Sequence, residues 1–550
     1  MDSGYLPVER LYVRVLRWVM RHRWVVVAAS LAALAAVPVL GKQIPKGFLP
    51  VNDDAQFEIV VRSPEGATVD ATSLITERIA RQARTVDGVK STLATIGDSE
   101  QKLANRARIY VRLTDPDQRD ASQAEIMDRV RRHVIPRLPA GTRASVQLVP
   151  DIQTGGSNAF VTYAITGPDL DQLTAYGTAA LAALRAIPGA VDPDSNLPEP
   201  TPETHVTVDR ARAADLGVDP AAVAATLRLL VGGREVSTYQ EQGEQYDVHL
   251  RSTESWRDRP ELLGAITVKS SRGDDVPLAS VIQVSDGKGP SEVNRINRRR
   301  QVTLMANLAP GVGESDVVSV LEEKLDGLQM APGYRYEPFG RSKEMARTGK
   351  AFGFAFLLSF IFMYLVLAAQ FESWLHPLTI LLALPLTLPF AFLSLVLFKQ
   401  QLDIFSMLGL LVLFGVVKKN AILQIDHTNQ LRAAGRERLD AIVEGNRSRL
   451  RPILMTTFAF VAGMLPLMMA SGIGSGFSRA TAGIIVGGQT MSLLLTLLAT
   501  PVFYSLFDDA AAWMKRRVSR GDAAAEAEAS GQRDLDRLLA EGEAALGAHG

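Results

Sequence analysis

Six apolar runs constrain what this chain of 550 residues can fold into more than any other feature. Each is long enough, or nearly so, to cross the hydrocarbon core of a bilayer as an α-helix, which takes about 20 residues. The runs are Trp24–Leu40, Ala351–Ala369, Pro377–Phe398, Ile404–Ile425, Pro452–Ala470 and Ile484–Phe503. The long polar stretch between the first two runs predicts a mixed molecule, part membrane and part soluble.

The fourth run contains two adjacent lysines, Lys418 and Lys419, followed by Asn420. A lysine near the middle of a spanning helix costs about 2.5–3.5 kcal/mol on insertion scales. Intramembrane ionisable groups normally face a bundle interior and mark ion or proton pathways. Alternatively, one or both side chains extend toward the nearby cytoplasmic end of the helix. Because no other apolar run contains Asp or Glu, the counter-charge is expected from another polypeptide or from a missing half.

Lysines and arginines between the runs predict the orientation, because positively charged loops stay in the cytoplasm. Basic clusters precede the first run, separate the fourth from the fifth and follow the sixth. Counting spans places all three clusters on one side, which we take as cytoplasmic. The first run lacks a small-residue cleavage site and leads into Lys42, which indicates an anchor rather than a signal peptide. The segment from about Lys42 to Arg347 is therefore predicted to lie outside.

This external segment contains two β-α-β-β-α-β patterns, typical of the ferredoxin-like split βαβ fold. Alternation such as Arg108-Ile109-Tyr110-Val111 indicates strands. The first pattern has its elements at Phe57–Arg62, Thr68–Arg84, Val89–Ile96, Arg106–Leu113, Ser122–Leu138 and Arg143–Val149. The second has them at Phe160–Thr166, Asp169–Ala186, Ala190–Asp194, Gln301–Leu308, Glu314–Leu328 and Tyr334–Glu337. Because residues 200–288 interrupt the second pattern, they are predicted to form an inserted domain.

Residues 8–23 have the pattern of an amphipathic helix on the membrane surface. One stripe of this helix is basic and consists of Arg10, Arg14, Arg17 and Arg21. Another stripe is apolar and consists of Leu11, Val15, Trp18 and Val19. The alternative is a basic anchor that only fixes the topology of the first span.

Composition excludes several function classes. The chain has no cysteine, which removes disulfides, thiol catalysis and thiolate metal sites. Seven histidines occur without metal-ligand spacing, and scattered methionines are typical of core packing. The sequence has no phosphate-cradling glycine loop and no nucleophile–base pair, so we expect neither an enzyme nor a cofactor. The predicted membrane location argues against a nucleic-acid partner.

The fifth run begins with the basic junction Arg447-Ser-Arg-Leu-Arg-Pro, which is explained by a positive-inside anchor and a proline in the first helical turn. Thr456 and Thr457 follow about one turn inside the membrane, where a hydroxyl can bond the backbone or a neighbouring polar group. Asp403, Asp426 and His427 lie at the ends of the fourth run and are expected to be solvated.

Four motifs in this order resemble the C-terminal half of a resistance–nodulation–division (RND) efflux transporter of the hydrophobe/amphiphile branch. They are Gly47-Phe-Leu-Pro-Val-Asn-Asp-Asp, Gln370-Phe-Glu-Ser-Trp, Lys419-Asn-Ala-Ile-Leu and Arg449-Leu-Arg-Pro-Ile-Leu-Met-Thr. The resemblance covers about residues 8–510. It implies a fold of mixed α+β class: six transmembrane helices with a large periplasmic insertion of two ferredoxin-like porter subdomains and one docking subdomain.

The resemblance also implies boundaries along the chain. The membrane part would comprise a surface helix (1–23), the first span (24–41), five further spans (348–507) and a cytoplasmic tail (508–550) with a weak helical pattern. The first porter subdomain would be residues 57–156, the second 157–199 with 289–338, and the docking subdomain 200–288. The protein would lie in the inner membrane.

By the same resemblance, the protein would be a secondary transporter, a proton antiporter of multidrug-resistance type. A proton relay would use Lys419, Thr456 and Arg449, with Lys418 and Asn420 as further candidates. Partners would be an N-terminal half carrying intramembrane aspartates, further copies in a trimer, a periplasmic adaptor, an outer-membrane channel and membrane lipid. Protonation of an aspartate would weaken its pairing with Lys419 and let the helices repack.

The substrate stays open at this point. Drug-exporting relatives line the porter pocket with phenylalanines and a glycine-phenylalanine loop, but the stretch Thr95–Leu103 has no phenylalanine. Tyr110 and Phe160 are the candidate substrate-binding aromatics, and ordinary strand core is their structural alternative. A heavy-metal exporter half and a non-transporting scaffold or regulatory subunit are the rival functions.

Overall fold

The computed structural model of the chain describes residues 2–97, 102–149, 158–197, 200–257, 259–290 and 292–547, with side chains described from Tyr5 to Trp513 within these ranges. Within this described part, six helices are long and apolar enough to cross a membrane, judged by length and composition. Each of them overlaps one of the six predicted runs, although the third ends one residue before the predicted Phe398 and the fifth two residues before the predicted Ala470. The chain begins with α1 (Asp2–Arg21) and α2 (Arg23–Gln43), of which α2 is the first of the six.

The first α/β unit contains β1 (Gln56–Arg62), α3 (Val69–Arg84), β2 (Val89–Ile96), β3 (Arg106–Leu113), α4 (Gln123–His133) and β4 (Arg143–Leu148). Its antiparallel sheet has the order β2-β3-β1-β4. Alternate residues such as Phe57, Ile59 and Ile109 are buried against α3 and α4, as the period of two predicts. The helix predicted to reach Leu138 ends earlier, because Pro136 has no N–H to continue it.

The second α/β unit begins with β5 (Val161–Gly167), α5 (Leu170–Arg185) and β6 (Ala190–Ser195). An insertion follows with β7 (Pro200–Val208), α6 (Arg210–Asp215), α7 (Pro220–Leu227), β8 (Arg234–Glu241), β9 (Glu244–Leu250), α8 (Glu254–Arg257), β10 (Thr267–Lys269), β11 (Asp275–Pro277) and β12 (Ile282–Pro290). The unit resumes with β13 (Arg295–Ile296), β14 (Arg299–Leu308), α9 (Glu314–Asp326) and β15 (Arg335–Pro338). Because β14 pairs with both β5 and β6, strands from the two sides of the insertion share one sheet.

The insertion has a small core of its own. Ala213, Val223, Leu278 and Val281 are fully buried in it. The antiparallel pair β7–β12 joins it to the second unit, while every residue of the β8–β9 hairpin is exposed. The chain leaves the second unit after β6 and returns to it at β13.

The remaining membrane helices are α10 (Gly340–Phe371), α11 (Leu375–Leu381), α12 (Leu388–Leu397), α13 (Ile404–Ala433), α14 (Arg438–Met468) and α15 (Ser475–Gly547). The predicted third span is broken into α11 and α12 by the turn Pro385–Thr387, since Pro385 and Pro389 lack the N–H groups of a regular helix. α15 is the most buried of the six and packs against α12, α13 and α14. It continues as a helix through most of the predicted tail.

A connecting segment, residues 44–54, links α2 to the first unit and is bonded to the membrane helices. Pro45 O and Gly47 N bond Leu402 N and O at 2.9 and 3.1 Å, next to the start of α13. Gln401 Nε2 donates to Leu49 O at 2.8 Å. The amide of Gly476, in the first turn of α15, donates to Asn52 Oδ1 at 2.9 Å.

The same segment is bonded to both α/β units. Asp53 accepts hydrogen bonds from Gln123 N at 2.9 Å and from Arg119, both in the first unit. In the second unit, Glu314 Oε2 accepts from Phe48 N at 3.4 Å, and Ser315 N donates to Lys46 O at 3.2 Å. The connecting segment is therefore bonded to the membrane helices and to both α/β units.

The two α/β units meet along a seam of ion pairs. Asp192 Oδ2 accepts from Arg131 Nε at 2.7 Å, from Val146 N at 3.2 Å and from Asn307 Nδ2 at 3.3 Å. Both side chains of the Arg131–Asp192 pair are about nine-tenths buried. A second pair, Arg143–Asp194 at 2.8 Å, is more exposed.

We expect Asp192→Asn to destabilise the chain far more than Asp194→Asn. The first change leaves the buried Arg131 guanidinium without its counter-charge, which costs about 3–5 kcal/mol, whereas loss of a half-exposed pair costs about 0–1 kcal/mol. The comparison is made by thermal unfolding of the solubilised chain. Equal falls in Tm for the two variants would contradict a buried electrostatic seam.

A second prediction concerns Glu314, whose pKa is raised by burial despite the neighbouring Arg341. Because the folded-state pKa lies above the ordinary value, the stability that this carboxyl contributes is present at low pH and is lost as the pH rises through the raised pKa. We expect Glu314→Gln to reduce the fall in Tm as the pH rises above the ordinary pKa of a glutamate. The control is Glu323→Gln, an exposed carboxylate of the same helix, which should leave the wild-type pH profile unchanged.

Candidate functional site

Helix α13, which carries Lys418 and Lys419, has its first turn capped by a side chain. Asp403 caps α13: its Oδ1 accepts from Phe405 N and Ser406 N, both at 2.9 Å, and its own N donates to Ser406 Oγ at 2.7 Å. The expectation that Asp403 is solvated is wrong, because its side chain is fully buried. Capping satisfies the free N–H groups of the first turn, which explains a carboxylate in this place.

Lys419 lies on an outward stripe of α13. The exposed positions Leu408, Val412, Gly415 and Lys419 recur every three or four residues, which places them on one face of the helix. A Cβ atom on Gly415 would meet no atom within 4 Å, so this face is open. Lys418 is half-buried and Asn420 is buried on the neighbouring face. In the part of the chain that the structure describes, neither lysine has a hydrogen bond or an ion pair.

The other two predicted relay residues lie on α14. Thr456 is exposed, and its hydroxyl donates to Ile453 O at 3.2 Å within the same helix. Arg449 is half-buried, and its Nε atom is buried without an acceptor among the described residues. Thr457, one residue further, has a buried hydroxyl that likewise lacks a partner there.

The structure places the predicted relay residues on two helices that pack against each other, α13 and α14. It does not join Lys419 to Arg449 or Thr456 by any hydrogen bond or ion pair within the described ranges. Because Lys419 and Thr456 are both exposed, a partner for either must approach from outside this bundle.

Large apolar side chains are also exposed on α10 and α14, which both pack against α13. Phe354, Phe362 and Val366 on α10 and Met455 and Phe458 on α14 are each more than half exposed. Such a surface must be covered by lipid or by protein. A lysine side chain within this apolar surface would be costly to expose to lipid. The molecule that covers the lysine therefore has to supply polar groups.

The predicted substrate residues lie apart. Phe160 borders a cavity of about 590 Å³ below the seam, and the Arg341 guanidinium lies 4.5 Å from the centre of its ring. Tyr110 is half-buried on β3, donates to Gln56, and does not line this cavity. Residues 98–101 of the stretch that was compared with the phenylalanine loop lie outside the described residues.

The cavity itself was missed by sequence reasoning. The connecting segment, the start of α9, the turn before α13 and the start of α15 line it, together with Met127 and Arg131. Glu314 and Arg341 also border it, and their Oε2 and Nε atoms are 3.4 Å apart. The motif Gly47-Phe-Leu-Pro was the available signal, but sequence alone does not reveal that its main chain bonds both the membrane helices and the second unit.

A metal centre is not evident in the chain that the structure describes: no group of three or more His, Cys, Asp or Glu side chains is close enough to hold an ion. Of the methionines, Met127 borders the cavity, whereas Met305 lies on β14 within the second sheet. These observations assign no resident cofactor to any described residue.

Comparisons with known proteins agree with this architecture. Residues 5–508 match the model of the AcrB/AcrD/AcrF family. Two crystal forms of a heavy metal efflux pump are similar in structure, with TM-scores of 0.82 and 0.81 and 25% sequence identity. Each match covers 92% of this chain and 53% or 52% of the pump, so the chain spans about half the length of these solved structures. With the match extending over nearly all of its length, the chain belongs to the AcrB/AcrD/AcrF family of RND transporters.

Proposed function

We propose that this chain is the C-terminal half of a proton-driven RND exporter and works with an N-terminal half that carries intramembrane aspartates. The observation that carries this proposal is Lys419, an exposed lysine within a spanning helix that has no partner among the described residues. A carboxylate supplied by another half would neutralise it.

The proposed chemistry follows from the desolvation of charge. In a low-dielectric site an ionised carboxylate facing Lys419 is stabilised by the nearby cation, and protonation removes that attraction. The two helices then lose the ion pair that holds them in register and can repack. Inward proton flow would thereby drive movements of the external units, with which the connecting segment is in contact.

Other predicted relay residues fit subordinate roles. The unsatisfied Nε–H of Arg449 would donate to an acceptor that becomes available in the assembly or in another state. Thr456 is exposed beside the proposed contact face and can donate to a carboxylate by giving up its bond to Ile453 O. Lys418 and Asn420 point away from the outward stripe and are the weaker candidates.

We assign residues 57–156 to a first porter subdomain, 157–199 with 289–338 to a second, and 200–288 to a docking subdomain. The exposed β8–β9 hairpin of the insertion supports a contact role for the last of these. The chain would lie in the inner membrane with these units in the periplasm. It would assemble as a trimer with an adaptor and an outer-membrane channel.

Two substrate classes compete. An amphiphile exporter was the expectation from sequence, and the cavity lined mainly by apolar groups supports it. The likeness to a heavy metal efflux pump favours metal ions instead. A susceptibility assay with the assembled pump distinguishes them, since export would protect cells either from lipophilic cationic dyes or from heavy-metal ions.

The assembly is tested by native mass spectrometry of the chain extracted from its own membrane. We expect a second polypeptide of similar size that carries intramembrane aspartates. Recovery of the chain alone, or only as a homo-oligomer, would leave Lys419 without a counter-charge and would favour the scaffold function.

We expect Lys419→Met to abolish export by the assembled pump while expression and membrane insertion stay intact. Without Lys419, protonation of the partner carboxylate no longer breaks an ion pair, so proton-coupled transport should fall to the background level. The measurement is substrate export together with proton uptake in reconstituted vesicles.

The matched control is Lys350→Met, which removes an exposed lysine near the external end of α10. It should export like the wild type. Unchanged export by Lys419→Met would remove this lysine from the relay and would also favour a non-transporting scaffold.

A further inference from the structure

Helix α1 presents a row of four exposed arginines, here called the arginine stripe: Arg10, Arg14, Arg17 and Arg21. Their spacing of three or four residues places them on one face of the helix. At a rise of about 1.5 Å per residue the stripe extends over about 16 Å. It is therefore a linear array of guanidinium groups rather than a single basic point.

These four guanidinium groups have no ion pair or hydrogen bond within the described part of the chain. Other arginines near the same end of the bundle do have carboxylate partners. Arg23 pairs with Asp509 at 2.6 Å, Arg432 with Asp508 at 3.1 Å, and Arg447 with Glu9 at 2.5 Å. Acidic side chains are thus available nearby, but the arginine stripe is turned away from them.

An apolar stripe lies beside the basic one. Leu11 and Trp18 are more than half exposed, and Val15 is half-buried between them. Trp18 stacks on His22, with 5.1 Å between the ring centres. A tryptophan and aliphatic groups next to a row of cations are the arrangement of a helix that lies in a membrane interface.

The third face of α1 fixes the helix to the bundle. Leu16, Val19 and Met20 are buried, so the placement of Val19 on the apolar surface stripe was wrong. Tyr12 donates to Leu497 O at 3.2 Å, and Glu9 pairs with Arg447 on α14. The arginine stripe is thus held in one orientation, which lowers the entropy lost when it binds a ligand.

We propose that the arginine stripe binds the phosphate groups of anionic phospholipids in the cytoplasmic leaflet. Guanidinium groups bind phosphate oxygens with paired hydrogen bonds, and each basic residue near an anionic membrane surface contributes about a fivefold gain in affinity. The apolar stripe lies where the acyl chains of the same lipids would be. This inference rests on the proposed cytoplasmic orientation of α1 but not on proton coupling.

The test is lipid binding to the full chain, measured by native mass spectrometry during titration with phosphatidylglycerol or phosphatidylcholine. The wild type should retain the anionic lipid preferentially. Replacing all four stripe arginines by glutamine should lower its affinity for phosphatidylglycerol by at least about 100-fold, with little change for phosphatidylcholine. The corresponding Arg→Lys variant should retain part of the preference, because it keeps the four charges but loses the paired hydrogen bonds of the guanidinium groups.

A matched control removes four other exposed arginines that lack ion pairs within the described residues, at positions outside the membrane: Arg78, Arg112, Arg185 and Arg210. It has the same net charge as the stripe variant but should bind phosphatidylglycerol like the wild type. Equal losses in the two variants, or no loss in the stripe variant, would overturn the proposal. A folding defect would instead be seen in the stripe variant as a lower Tm and as weaker binding of both lipids, and the Arg→Lys variant then decides.

Lys419→Met separates this inference from the proposed transport mechanism. The variant should bind phosphatidylglycerol like the wild type, because Lys419 lies on α13 and not on the arginine stripe. Loss of lipid preference in Lys419→Met would contradict the assignment to α1. Loss of export together with wild-type lipid binding would support the proposed proton coupling and would leave the lipid-binding proposal standing.

Discussion

The connecting segment bonds the membrane bundle to both α/β units, and the placement of these external units depends on it. Its carbonyl and amide groups bond Leu402 next to the start of α13, while Asn52 bonds the first turn of α15. Asp53 and Phe48 bond the first and second units. A segment without helix or strand is stable in a buried position only when its backbone groups find such partners. Small displacements of α13 therefore change contacts with the second unit directly.

Charge is distributed unevenly along the bundle. At the end where α13 finishes and α14 starts, Asp508 and Asp509 of α15 neutralise arginines from three other helices. Within the span, Lys418 and Lys419 have no such partner among the described residues. Charges in water-accessible positions are cheap to keep, and their pairing stabilises the bundle only modestly. An unpaired charge within the span is costly. The position of Lys419 therefore indicates where a polar partner would have to bind.

Periodicity predicted most of the secondary structure because burial on one face leaves a pattern in the sequence. Strand β3 alternates as expected, and strands on either side of the insertion pair in one sheet. Other features depend on tertiary contacts that no pattern encodes. Asp403 is buried as a helix cap, Val19 packs inward, and the third span is broken at its prolines. Sequence identified Lys419, but its outward position follows from the packing of α13 on its neighbours, and the cavity from the path of the connecting segment.

The buried Arg131–Asp192 pair has a consequence for how the two external units can separate. A gap too narrow for water would leave both ions without their counter-charge and without hydration, which is unfavourable even though each keeps a hydrogen bond within its own unit. Only a gap wide enough to hydrate both groups recovers the lost energy. The pair therefore opposes a narrow opening of the seam more strongly than a wide opening that admits water.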